Sequence, residues 1–304
     1  MASGIINVYK ERGFTSFDVV AKLRGILHIK KIGHTGTLDP EATGVLPVCV
    51  GNATKVCGLL TDKDKVYETV LHLGVETDTE DATGKVLKNM EEEALRLTEK
   101  AVRDSITGFV GTYEQVPPMY SALKVNGKKL CDLARSGIEV ERKARTVTIF
   151  SIEIKKICLP FVTMQVHCSK GTYIRTLCAD IGKKLGVGGS MESLVRTRVS
   201  VFEIEKAHTL SEIEQYRDEN RLSELMMPVD VLFGELPKRY VKKETFRLLQ
   251  NGNRLMDTDF EQAEAPAEER VLVYSPDGRF YAIYQYDEAA RNYKVYKMFG
   301  EEKE

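Results

Sequence analysis

Nowhere does the 304-residue chain hold an apolar run approaching the roughly eighteen residues of a membrane-spanning helix, so no membrane span is expected. Its first residues, Met1-Ala2-Ser3-Gly4-Ile5-Ile6, lack the basic start and apolar stretch of a signal peptide. The expected compartment is therefore the cytoplasm. The six cysteines (Cys49, Cys57, Cys131, Cys158, Cys168, Cys178) form no C-x-x-C pair and read as reduced thiols. Five histidines without clustered Cys/His spacing give no zinc site, and no bound metal is expected. Internal repeats, heptad runs and low-complexity segments are absent too. What the chain does have is 42% apolar and 29% charged residues, enough to pack a core and to exclude wholesale disorder. Its length suits one large domain or two ordinary ones.

The net charge of −1 conceals a strong asymmetry. Residues 117–200 carry fifteen Lys/Arg against six Asp/Glu, a balance of +9. The other windows stand at +3 (residues 1–60), −6 (61–116) and −7 (201–304). A +9 window is either a solvated basic face or a local field that collects phosphates.

A helix is expected from Ser16, read as its N-cap, with Phe17, Val20, Leu23, Ile26 and Leu27 at helical spacing and Gly33 as its stop. A buried strand is expected at Val45–Val50. Another should span Val66–Leu73, with Tyr67, Thr69, Leu71 and Leu73 on one face. Glu91–Ile106 reads as one helix with an acidic start. After Pro117-Pro118 comes a basic excursion over 118–145. A strand hairpin (Thr146–Ile157, Phe161–Cys168) and a helix over about Tyr173–Leu185 follow. Pro228, Gly234 and Pro237 suggest a linker. Beyond it lie a short helix (Lys243–Gln250), an acidic loop (257–269) and the strands Val271–Tyr274 and Phe280–Tyr286 around Pro276-Asp277-Gly278, a hairpin turn.

The most unusual segment is Gly33-His34-Thr35-Gly36-Thr37-Leu38-Asp39-Pro40-Glu41-Ala42-Thr43-Gly44-Val45-Leu46-Pro47. An Asp before Pro in a Gly-rich loop, between a basic helix end and a buried strand, is displayed and suits a nucleophile or base. Taken locally, the same pattern is also that of an ordinary turn. Across the whole segment, however, it resembles the G-H-T-G-x-L-D-P-x-A-T-G-x-L-P signature of pseudouridine synthases, specifically the bacterial tRNA pseudouridine-55 synthases. Val66-Tyr67 sits where that family carries its strand tyrosine. Cys168–Leu177 resembles its third signature. Met119-Tyr120-Ser121-Ala122-Leu123-Lys124 and Gly127-Lys128-Lys129-Leu130 resemble its RNA-gripping insertion. The resemblance covers about residues 4–200. After residue 236 it rests on Asn251-Gly252-Asn253 and the β-rich pattern, which look like a PUA-type module.

The resemblance implies an α+β protein. Residues 1–236 would form a synthase core on a long mixed, mostly antiparallel sheet, with an RNA-gripping insertion at about 112–145. Residues 237–304 would form a small C-terminal β-rich PUA-like module. The implied reaction flips a uridine out of the T-arm of tRNA, breaks its glycosidic bond, turns the base and rejoins it through carbon. It uses no cofactor. Asp39 would be the catalytic aspartate, attacking the sugar or the base. Arg175 would be its cationic partner, since an Asp in a dry pocket needs one to stay ionised. Tyr67 would stack on the flipped base and move a proton at the sugar. Tyr173, Leu194 and His34 would bind the substrate, with His34 helping to extrude the base. Lys10 would join them. Its segment follows the family's K-P-x-G-x-T-S, except that Glu11 replaces the proline. Lys124, Lys128, Lys129 and Arg135 would bind RNA. His28, His72, His167 and His208 receive no role.

Competing readings lack their features. Glu76–Gly84 lacks the Gly at the sixth position and the Glu at the twelfth of a calcium-binding EF-hand loop, and Val125–Lys129 lacks the preceding glycine spacing of a phosphate loop. A non-catalytic RNA-binding scaffold would not need Asp39, Tyr67 and Arg175 together. A synthase guided by a separate RNA and partner proteins would favour long basic tails. The implied partner is tRNA, for a monomer with no obligatory protein partner.

Overall fold

The computed structural model describes residues 3–121, 123–125, 127–138, 140–261 and 269–300, with Lys124 and Lys129 as backbone alone. Ala122 and Asn126 of the insertion, the Lys124 and Lys129 side chains and residues 262–268 of the acidic loop therefore lie outside the described residues.

Four strands carry most of what positions the site: β1 (Gly4–Lys10), β2 (Ile32–His34), β3 (Thr43–Val50) and β4 (Lys65–Leu73). They belong to a ten-stranded sheet. Its path runs from Met226–Met227 through β1, β3, Gly189–Val199, β4, Phe161–Cys168 and Arg145–Cys158 to Gly111–Gln115. The pairings are antiparallel except that of β3 with Gly189–Val199, so the sheet is mixed and mostly antiparallel, as expected. A second, four-stranded sheet begins at Lys238 and holds the hairpin Arg270–Tyr274/Phe280–Asp287. Its outer strands, Lys238–Tyr240 and Asn292–Met298, carry no periodic signal long enough to be read from sequence.

Alternation sets the faces. Along β4, Tyr67, Thr69, Leu71 and Leu73 are all buried. Tyr67, Leu71 and Leu73 pack in one cluster with Val166, Leu177, Ile181 and Leu194. A second cluster lies under the helix α1 (Ser16–Leu27), where Val19, Val20 and Leu23 meet Val8, Leu46 and Val48.

Several boundaries differ from the sequence reading. The cap of α1 is Thr15, whose side chain accepts the Asp18 N–H while Asp18 returns a bond to the Thr15 N–H. Ser16 is already helical. Phe17 is 63% exposed, because the buried stripe runs through Val19, Val20, Leu23 and Leu27 instead. The helix stops at His28 in a left-handed conformation (φ 53°), and Gly33 lies in β2. The single helix expected at 91–106 is two, Glu91–Ala94 and Glu99–Thr107, because the Thr98 hydroxyl captures the Ala101 N–H and starts a new helix. The helix Leu210–Asp218 went unread despite its own Thr209–Glu212 capping box.

The expected linker near 228–237 is not a loose tether. Val229–Phe233 is a helical turn whose Val229 and Leu232 are buried. They share one apolar cluster with Ile5, Val45 and Cys49 of the large sheet and with Leu272, Tyr274, Ile283 and Phe299 of the small one. The two sheets are separate in hydrogen bonding but joined by a common core.

Candidate active site

The loop between β2 and β3 is fixed along its length. The Thr35 amide and hydroxyl both donate to the Pro47 carbonyl, at 3.2 and 3.1 Å. The buried Ser16 hydroxyl accepts the Leu38 N–H at 2.9 Å, so the first turn of α1 holds the residue before Asp39. Lys10, at the end of β1, is 0% exposed and donates to the carbonyls of Glu11 (3.1 Å), Phe14 (2.6 Å) and Pro40 (3.0 Å). With its donors on three carbonyls and its side chain buried, Lys10 braces the Asp39-Pro40 turn. Burial pushes its ammonium down to about 8, against the pull of Asp39 and Glu41. Gly44 (φ 104°) is required where it stands. A Cβ there would lie 2.2 Å from the Arg196 carbonyl oxygen of the parallel neighbouring strand.

The fixed loop presents Asp39, its side chain 40% exposed, to Arg175, whose side chain is 6% exposed. Arg175 Nε lies 3.1 Å from Asp39 Oδ2 and Nη2 lies 3.5 Å from Oδ1. Arg175 lies in the first turn of the helix Ile174–Lys184, whose N-cap is Tyr173. Its remaining contacts fix the fork: Nη2 donates to the Tyr120 carbonyl (2.8 Å), Nη1 donates to the Thr79 carbonyl (3.2 Å), and Nη1 lies 3.6 Å from Asp81 Oδ2. Asp81 is in turn held by the Thr79 hydroxyl and by the Thr83 amide and hydroxyl. Burial raises the Asp39 carboxyl above its ordinary value, more than Arg175 draws it down, and Asp81 adds to the rise.

These groups stand in a cleft of about 390 Å³ whose lining includes Leu38, Asp39, Lys65, Tyr67, Tyr173, Arg175, Leu194 and Arg196. Five expected residues, Asp39, Tyr67, Tyr173, Arg175 and Leu194, are thus brought together. Strand register does part of this. Leu194 pairs with Thr69 and Arg196 with Tyr67. Tyr67 is buried, which pushes its phenol up, while Arg196 draws it down. The buried Gln115 side chain clamps Tyr173, accepting its N–H at 2.8 Å and donating to its carbonyl at 3.0 Å.

His34 stands apart. It lines a neighbouring cleft of about 540 Å³ with Phe17, Arg24, Lys30 and Lys31. Its Nδ1 accepts the Gly36 N–H at 3.3 Å, and burial lowers its pKa, which favours the neutral ring. The excursion after Pro118 folds as a two-stranded hairpin (Lys124–Val125 with Lys128–Lys129) and a helix, Leu130–Arg135. Its base closes one wall of the cleft through Ser121 and Leu123. Arg142 ties that base down with a 3.0 Å bond to the Pro117 carbonyl. Lys128 is exposed, and the Arg135 side chain is 73% exposed and only loosely paired with Asp132 at 4.0 Å.

Sequence reasoning overlooked four residues of this site. Lys65 and Arg196 line the cleft, while Asp81 and Gln115 brace it from behind. A signal existed for Arg196, since it lies two residues after Leu194, the spacing at which strand side chains share a face. Among the described residues no His/Cys/Asp/Glu group has the arrangement of a metal site, and no helix is long and apolar enough to cross a membrane.

The family described as TruB family pseudouridylate synthase (N terminal domain) matches residues 24–174, and that described as tRNA pseudouridylate synthase B C-terminal domain matches residues 175–233. A protein of Lachnoclostridium phytofermentans called tRNA pseudouridine synthase B is 54% identical, over 98% of this chain and 99% of its own. Proteins of the same name from Clostridium perfringens and Bacillus pumilus are 44% and 41% identical, over 99% and 100% of this chain and the full length of theirs. Among solved structures, a chain in an H/ACA ribonucleoprotein bound to a substrate RNA containing 2'-deoxyuridine superposes with a TM-score of 0.71 at 25% identity. A chain in a Cbf5–Nop10–Gar1 complex does so at 0.71 and 26%. Each match covers 98% of this chain and 85% of the other.

Proposed function

The chain belongs to the TruB family of pseudouridylate synthases, and from that premise we propose that it converts a uridine in the T-arm of tRNA, at position 55, to pseudouridine. The observation that carries the reading is the Asp39–Arg175 pair in a cleft walled by Tyr67, Tyr173 and Leu194. Overall the reaction breaks N1–C1′ and forms C5–C1′. C5 gives up a proton and N1 gains one, so no oxidant or reductant takes part. Asp39 supplies the anionic nucleophile, and Arg175 offsets part of what burial costs its ionised form. Tyr67, Tyr173 and Leu194 form apolar walls for the flipped base. The Tyr67 hydroxyl moves a proton at the sugar. His34, in the adjoining cleft, fills the gap that the base leaves in the RNA.

Lys128 and Arg135, exposed on the excursion, with Lys124 and Lys129 of the same hairpin, grip tRNA phosphates. Residues 1–236 form the catalytic unit, and residues 237–304 form a PUA-like module that adds RNA contacts. The protein acts in the cytoplasm as a monomer, without a guide RNA or protein partner. The test is to incubate the protein alone with an unmodified tRNA transcript and map pseudouridine along it. Conversion at position 55 bears the reading out. Conversion elsewhere, or only after a guide RNA or partner protein is added, contradicts it.

A further inference from the structure

Arg196 is 1% exposed, lines the cleft, and meets no carboxylate among the described residues. A buried cation without an anionic partner is costly, so its retention calls for a reason. Its guanidinium is anchored at one end, where Nε donates to the Val45 carbonyl at 2.7 Å. Longer contacts at 3.5 Å reach the carbonyls of Thr37 and Gly36 in the Asp39 loop. In strand register Arg196 stands opposite Tyr67, and both side chains line the same cleft.

Resting on the function proposed above, we propose that Arg196 is a positioning residue for the isomerisation, which orients the Tyr67 hydroxyl and compensates its oxygen when the proton leaves. A guanidinium carries donors only, so in the reacting complex it bonds the lone pairs of the phenol oxygen and leaves the Tyr67 O–H to turn toward substrate. When the hydroxyl surrenders its proton, the phenolate forms beside a cation that no other anion has neutralised. The other charged or titratable groups that face Tyr67 are Cys168 and Asp39. Those that face Arg196 are Lys10, His34 and Lys65, all of them cations when protonated. None of these offers Arg196 an alternative counter-charge.

The test compares the parent with Arg196→Lys, Arg196→Gln, Tyr67→Phe and the double variants, in single-turnover isomerisation of an unmodified tRNA transcript across pH. Equilibrium tRNA binding and thermal melting are measured in parallel. Arg196→Lys should slow the chemical step by roughly 10- to 100-fold, short of the roughly 10²–10⁴-fold of a lost proton-transfer group. Affinity for tRNA should stay within about twofold, and the alkaline limb of the rate profile should change shape. In the Tyr67→Phe background the same substitution should cause no further loss. Losses that multiply in the double variant would show that Arg196 acts independently of Tyr67, which overturns the proposal. Parental rates in both Arg196 variants would overturn it as well. Failure of both to fold would make Arg196 a structural staple and contradict it too. Absence of pseudouridine with the parent counts against the function itself, before any variant is compared, and takes this proposal with it.

Discussion

Arg175 addresses both oxygens of Asp39, with Nε 3.1 Å from one and Nη2 3.5 Å from the other, while its remaining nitrogen lies 3.6 Å from Asp81. One guanidinium thus bridges two carboxylates, and backbone carbonyls hold it in place. Lysine has the charge but not the fork. Arg175→Lys should therefore bind tRNA with near-parental affinity yet lose at least about tenfold in single-turnover rate, a modest part of what a preorganised charge supplies. A parental rate in that variant would leave the fork without a catalytic role.

The raised Asp39 carboxyl gives a pH dependence of definite sign. The reaction needs the ionised form, so the rate should rise with pH through a limb above the ordinary carboxylate range. Arg175→Gln should move that limb further up. Stability runs the opposite way. Between its ordinary and its raised value, Asp39 binds more proton in the folded chain than in the unfolded one, so its contribution to stability falls as pH rises through that window. Asp39→Asn should accordingly melt no lower than the parent at pH 7, and the difference should narrow on acidification below the ordinary value. Calorimetry at both pH values checks it.

Lys10 joins β1, the turn after it and Pro40 through three carbonyls. Lys10→Met strands those acceptors and should cost about 1–3 kcal/mol. It should also lower the single-turnover rate while tRNA affinity holds. In the parent, activity should fall as the ammonium loses its proton near pH 8. The unfolded chain keeps that proton up to 10.5, so the group's own linkage raises stability between about 8 and 10.5 while the rate declines. A variant with parental stability and rate would reduce Lys10 to a filler of space.

Grip and chemistry should separate. Lys128→Ala removes a phosphate contact and should lower the slope of log affinity against log salt by roughly one unit, with a near-parental rate at saturating tRNA. Tyr67→Phe should leave the slope unchanged and slow the chemical step by roughly 10²–10⁴-fold. Single-turnover kinetics at several salt concentrations distinguish the two patterns.

Removing residues 237–304 would bare Ile5, Val45, Cys49, Val229 and Leu232, which pack against Leu272, Tyr274, Ile283 and Phe299. At roughly 25 cal/mol per Å² of apolar surface returned to water, the truncated chain should be clearly less stable and prone to associate. Melting and light scattering of the truncation check this. A soluble truncation with the parental melting temperature would make the shared core energetically idle.

The sequence makes the chemistry easier to read than the scaffolding. Asp39, Tyr67 and Arg175 stand out because they lie in segments that resemble the family signatures, whereas their local patterns alone also fit an ordinary turn, strand and helix. A continuous apolar run marks β3, and alternation marks β4 and the strand Phe161–Cys168. The brace that Lys10 and Ser16 give to the Asp39 loop depends on long-range partners, Pro40 and Leu38, of which local spacing carries no trace. Arg196 looked like one more member of the +9 window. Its spacing from Leu194 is the one local signal, and the fold sets it opposite Tyr67 and buries it. The linker near residue 230 followed from Pro and Gly spacing, which reports chain direction and not what packs on either side.

The most direct measurement is the yield of pseudouridine in a single turnover by Asp39→Asn, with tRNA binding followed in the same samples. Asparagine is nearly isosteric but cannot act as an anionic nucleophile. The expected result is parental affinity for tRNA, a folded protein and no pseudouridine. Product formed at anything near the parental rate would remove Asp39 from the mechanism and contradict the account.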